Sequence, residues 1–182
     1  MNNIDHNRRK WLGVGMVALG LGLLPQHALA TLTTLRPRSL HIDNLHTGET
    51  IKTEFFDGHQ YNKSELARLN YLFRDYRQNE IKTIDPKLFD QIYLLQMMMG
   101  INKSVQLISG YRSLKTNNML RHKSSGVAKH SYHTRGQAMD FHINGVELTH
   151  ICKAALKMRS GGVGFYPESN FIHIDTGPVR TW

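Results

Sequence analysis

The segment Gln137 to Ile143 constrains this chain more than any other, because its two faces have opposite chemistry. Met139, Phe141 and Ile143 fall on one side, and Ala138, Asp140 and His142 on the other. A period of two is the signature of a strand with one buried face. Phe171 to Asp175 repeats the pattern, with Ile172 and Ile174 opposite Phe171, His173 and Asp175. If the apolar faces share one core, then Asp140, His142, His173 and Asp175 converge. Two imidazoles and two carboxylates in mid-strand are costly to desolvate unless something pairs the charges, and a divalent cation does so. Zinc accepts these ligand types, and a catalytic zinc takes three of them. His133, in the loop before the strand, can reach back over Gly136 to supply the third. A hydrogen-bonded structural network is the alternative. A His and an Asp seven apart are less specific than H-E-x-x-H, so spacing alone leaves both readings open.

Elsewhere the pattern is mixed. Leu40, Ile42 and Leu45 lead through His46-Thr47-Gly48 to Ile51, Thr53 and Phe55, which reads as a hairpin. Asn62 with Glu65 resembles a capping box, and Leu66, Leu69, Phe73 and Tyr76 extend a helix over about 63–78. Asp85-Pro86 starts a second helix that Gly100 ends. Val105 to Ser109 is a short strand, Asn117 to Lys123 a brief helix, and Ser124 to Ser131 a polar loop. Asn144-Gly145 closes the Gln137 strand, and Glu147 to Met158 is an amphipathic helix ending near Gly161-Gly162. The glycines of 161–164 let the backbone turn or approach a neighbour closely, and no P-loop lysine accompanies them. Helices early and strands late predict a compact α+β domain.

Residues 1–30 read as an export signal rather than as fold. Arg8-Arg9 precedes an uncharged run from Leu12 to Leu24, and Ala28-Leu29-Ala30 offers a small-x-small cleavage site. The paired arginines point to the twin-arginine route. A retained anchor is the alternative, but the apolar run is shorter than the roughly 20 residues of a span. The chain carries +9, and the leader removes Arg8, Arg9, Lys10 and Asp5, hence two of those charges. The surplus on residues 31–182 favours anionic partners, which outside the cytoplasm are wall polymers or lipid head groups. No nucleic-acid motif accompanies it. Residues 31–182 suit one domain, and the single cysteine, Cys152, excludes an internal disulfide.

Ser131-Tyr132-His133-Thr134-Arg135-Gly136-Gln137-Ala138-Met139-Asp140 resembles the S-x-H-x-x-G-x-A-x-D pattern of the D-alanyl-D-alanine-type zinc metallopeptidases. Phe171 to Asp175, Ser109-Gly110-Tyr111-Arg112-Ser113, the Asn44 to Glu49 segment, Gly161 to Gly164 and the leader extend the likeness, specifically to the murein endopeptidase K group. The resemblance implies one zinc per chain held by His133, Asp140 and His173, on a small antiparallel sheet with helices packed against it. It implies a periplasmic enzyme that cuts cross-links or stem peptides of peptidoglycan, with no membrane span once the signal is gone. Carboxypeptidase action on the same scaffold, or a non-catalytic wall-binding module, are the rivals.

The resemblance also assigns Arg112 to a substrate carboxylate, a task suited to a guanidinium fork, and Ser131 to the substrate site. A loop-fixing hydrogen bond is the structural alternative for Arg112. Many relatives carry an acidic residue three before the last ligand or a histidine two before it, where this chain has Asn170 and Phe171. Asp175 is the leading candidate for the base, with His142 and Glu168 behind it. Orientation of a ligand is the competing role for Asp175. The oligomeric state is not encoded in any of these features.

Overall fold

The structure, a computed structural model, describes residues 36–124 and 126–182. The leader and residues 31–35 lie outside it. Strands β1 (Arg38–Asn44) and β2 (Thr50–Phe56) form the expected hairpin. Helix α1 (Lys63–Leu72) is capped by Asn62, whose side chain accepts the N–H groups of Ser64 and Glu65. It is shorter than the predicted 63–78. The apolar spacing through Phe73 and Tyr76 instead crosses a tight turn, in which Asp75 bridges to Glu80 and Asn79 has φ 50°.

Helix α2 (Pro86–Met99) begins at an Asp85 cap and ends at Gly100. After β3 (Val105–Ser109), α3 (Leu114–Lys123) starts earlier than its periodicity suggests, because the Ser113 side chain caps it by accepting the Thr116 N–H. A single 3-10 turn (Tyr132–Arg135) precedes β4 (Ala138–Ile143), and α4 (Leu148–Met158), β5 (Gly162–Tyr166), β6 (Phe171–Asp175) and β7 (Arg180–Thr181) complete the order. Among the described residues no helix is long and apolar enough to cross a membrane.

The α+β class is as predicted, but the sheet is neither small nor antiparallel throughout. Seven strands run in the order β2-β1-β3-β4-β6-β5-β7. β1 pairs parallel with β3 and β5 parallel with β7. The first parallel pair arises because the chain returns to the sheet through α1 and α2, a crossover that a hairpin connection cannot make. The second involves strands with no alternation to read: one is glycine-rich and the other has two residues.

The alternation in β4 and β6 sorts as the sequence predicts. Met139, Phe141, Ile172 and Ile174 are at most 1% exposed and join one core with Leu88, Phe89, Ile92 and Leu95 of α2 and Ile151 and Ala155 of α4. Full burial of one such side chain stabilises by about 1.5–3 kcal/mol. Slipping the register by one residue would turn all four outward and force Asp140 and His173 into the core. The core therefore fixes the pairing that sets Asp140 directly opposite His173.

Candidate metal centre

Of the five residues expected to converge, four by alternation and His133 by loop reach, three bring ligand atoms together. His133 Nε2, Asp140 Oδ1 and His173 Nδ1 lie 2.8 to 3.2 Å from one another. These are close to the edge of roughly 3.3 Å expected for a tetrahedron with bonds of about 2.0–2.1 Å to nitrogen and oxygen. His133 arrives on the 3-10 turn, whose N-cap is Ser131 and whose end is Gly136 at φ 70°. A Cβ on Gly136 would also sit 2.5 Å from the Thr83 carbonyl oxygen. That glycine is therefore required both by the turn and by the close approach.

The outward-facing nitrogens of the two histidines determine what the inward-facing ones can do. His133 Nδ1 is 2.7 Å from the Gly110 carbonyl oxygen, and His173 Nε2 is 3.1 Å from Asp175 Oδ2. Both partners are acceptors, so these nitrogens carry the protons and donate. This tautomer assignment follows from the network. His133 Nε2 and His173 Nδ1 then present lone pairs to each other and to the Asp140 carboxylate. Such an arrangement is repulsive when empty and suits a cation.

Without a cation, the cluster relieves part of this repulsion by favouring a proton on one of its rings. Burial pushes His133 towards the neutral form, more than Asp140 pulls it back. Burial acts the same way on His173, but hydrogen bonds to Asp140 and Asp175 outweigh it and favour positive charge at that ring. Asp140 is held well below the usual carboxylate range: its burial is overcome by the charge and hydrogen bonds of the two histidines.

Asp175 is 0% exposed. Its two oxygens accept five bonds, from the N–H groups of Gly162 and Gly177, from His173 Nε2, and from Arg180 Nη1 and Nη2. A carboxylate offers about four lone-pair sites, so its capacity is filled. Burial alone would raise its pKa, but the bonds from His173, Arg180 and Gly177 hold it well below the usual range.

The Gly161–Gly164 run makes this possible by close approach rather than by turning. A Cβ on Gly161 would fall 1.8 Å from the Asp175 carbonyl oxygen, and one on Gly162 would fall 2.5 Å from Asp175 Oδ2. The Gln91 side chain on α2 donates to the same carbonyl at 3.2 Å.

A cavity of about 570 Å³ lies against the cluster, and Arg112 and Ser131 both line it. The Ser131 hydroxyl is engaged as the cap of the His133 turn, accepting the His133 N–H at 3.3 Å. Arg112 is tethered through its backbone, donating its N–H to the His133 carbonyl, while Ser113 is held by Asp75. Its Nε is buried without a hydrogen-bond partner among the described residues. Burial lowers the Arg112 pKa, and the Asp140 charge partly offsets this. The loop is thus fixed by backbone bonds, and the guanidinium stands ready beside the cluster.

Two candidates lie elsewhere. His142 shares the Asp140 face but pairs with Gln106 further along the strand, and its Nε2 donates to Asn144 Oδ1 at 3.1 Å. Glu168 is exposed on the turn before β6. Neither lines the cavity, and Asp140 is the one carboxylate that does among the described residues. Sequence reasoning missed Arg180, Trp182 and Tyr166, which also line it. The Trp182 ring lies 5.2 Å from that of His173, and its indole N–H donates to the Tyr166 hydroxyl at 2.6 Å.

Comparison with known proteins identifies the family. Residues 32–182 match the family model described as peptidoglycan L,D-endopeptidase MepK. The Escherichia coli (strain K12) protein named peptidoglycan L,D-endopeptidase MepK is 65% identical over 182 residues, covering the whole of both chains. A Haemophilus influenzae protein named probable peptidoglycan L,D-endopeptidase MepK is 48% identical over 183 residues, covering all of this chain and 98% of that one. No solved structure matches the chain.

Proposed function

The chain belongs to the peptidoglycan L,D-endopeptidase MepK family, and from that membership we propose that it is a zinc-dependent endopeptidase of the periplasm. Its substrate is peptidoglycan, cut at a peptide bond between an L and a D centre in stem peptides or cross-links. The observation that carries the metal reading is the convergence of three lone pairs, with both imidazole tautomers fixed from outside. His133, Asp140 and His173 hold the ion, one per chain. Zinc, when bound, lowers the pKa of a coordinated water towards about 7 and polarises the scissile carbonyl.

The protein's own groups orient and bind. Arg112 receives a substrate carboxylate through its fork, a role supported by its buried Nε without a partner. Ser131 shapes the cavity wall while capping the turn that carries His133. Asp175 fixes the His173 ring instead of taking a proton from water, because it has no free acceptor site and no exposure. The paired arginines at Arg8 and Arg9 address the chain to the twin-arginine route, with cleavage after Ala30.

Digestion of purified sacculi by the protein, followed by chromatography and mass spectrometry, tests this reading. Internally cut muropeptides are expected with zinc and none with a chelator. Release of single terminal residues would replace endopeptidase with carboxypeptidase action. Tight binding to sacculi without any released fragment would leave only a wall-binding module.

A further inference from the structure

Arg180 belongs to a two-residue strand that the site does not need for its ligands, yet its guanidinium reaches the least exposed carboxylate beside them. Nη1 and Nη2 donate to the two oxygens of Asp175 at 3.0 and 2.6 Å. Nη1 also donates to the Pro178 carbonyl. The guanidinium carbon lies 4.7 Å from the Tyr132 ring centre and 4.9 Å from that of Trp182, so the fork is held by aromatic rings as well as by hydrogen bonds. Gly162, next to Arg180 in the β5–β7 register, leaves the space: a Cβ there would be 2.5 Å from Arg180 Nη1. From Asp175 the chain of contacts continues to His173 Nε2 and, through that ring, to Nδ1 at the cluster.

We propose that Arg180 is a positioning residue of the metal centre, acting through Asp175 to hold His173 in the tautomer and ring plane that turn Nδ1 towards the ion. Without the arginine, the Asp175 carboxylate would keep its two backbone N–H donors on Oδ1, and only His173 would fix the direction of Oδ2. The bidentate arginine fixes its plane and keeps Oδ2 available to accept from Nε2. Trp182, two residues on, packs beside the His173 ring and limits its swing. The inference rests on the zinc reading above and extends it to a residue outside the ligand set.

The test is a double-mutant cycle on zinc affinity, read by competition with a chromophoric chelator on the full chain. Thermal unfolding of each metal-free variant reports folding. Arg180→Gln should weaken zinc binding by roughly 10- to 100-fold, as expected when a group that orients a ligand is lost. Saturating zinc should largely restore turnover. In an Asp175→Asn background the same change should cost almost nothing further, because the two act as one unit. Arg180→Lys keeps the charge without the fork and should lose part of the affinity; it carries the measurement if Arg180→Gln does not fold. Wild-type zinc affinity in a folded Arg180 variant, or fully additive effects in the cycle, would overturn the proposal while leaving the metal reading intact. Absence of zinc binding by the wild-type protein would overturn both.

Discussion

Replacing His173 with alanine should remove zinc from the protein and lower turnover on muropeptides by about 10³-fold or more, while the domain stays folded. The size follows from the metal's share of transition-state stabilisation, several kcal/mol, at about 1.4 kcal/mol per factor of ten. The retained fold follows from Asp175, which keeps Arg180 and two backbone N–H groups when the imidazole is gone. Elemental analysis, a progress curve at saturating zinc and a thermal melt measure the three quantities. His133→Ala and Asp140→Ala should behave alike, because the three ligand atoms form one mutually contacting set. Full zinc content in all three variants would show that the cluster is a polar network and not a metal centre.

Arg112→Ala should have the second largest effect and the opposite profile. Zinc content should be unchanged, and the specificity constant should fall by about 30-fold to several thousand-fold. That range corresponds to the roughly 2–5 kcal/mol measured when one partner of a buried charge-assisted pair is truncated. The metal-free melting temperature should hold or rise, because a buried guanidinium whose Nε lacks a partner is costly before substrate arrives. Chelator-titrated zinc, kinetics on a defined muropeptide and a thermal melt separate these. An unchanged specificity constant with a lowered melting temperature would make Arg112 a structural residue.

The shared face of Asp140 and His173 was legible in the sequence because strand parity and core burial are local rules, whereas the choice of His133 as their companion came from the family resemblance. Once Met139, Phe141, Ile172 and Ile174 must be inside, Asp140 and His173 have to face the other way. Parity gives the face but not the position along it, which is why His142 looked equivalent to Asp140 and turned out to pair with Gln106. Asp175 was legible as a neighbour of His173. Its role was not, since the filled carboxylate depends on Gly162, Gly177 and Arg180, whose meeting is set by the β5–β7 pairing. That pairing left no periodic trace: β5 reads as a glycine run and β7 spans Arg180–Thr181. The end of α1 was misjudged for a related reason. Phe73 is fully buried like a helix residue, but it is buried by packing edge-on against Phe89 at the start of a turn.

The position of β4 between β3 and β6 carries a consequence for how the proposed metal would be acquired. Zinc fingers and many small metal-dependent domains are unstructured until their ion arrives, because their binding free energy is their folding free energy. Here Asp140 and His173 sit on interior strands whose backbone amides are already committed to neighbours, over a core that involves no ligand. Amide hydrogen exchange along β4 and β6 should therefore be slow in the metal-free protein, and added zinc should slow it further only through mass action on global unfolding. On the proposed zinc reading the ion enters a framework that is complete without it, so metal scarcity would leave the protein intact and idle, ready to be switched on again by the ion alone.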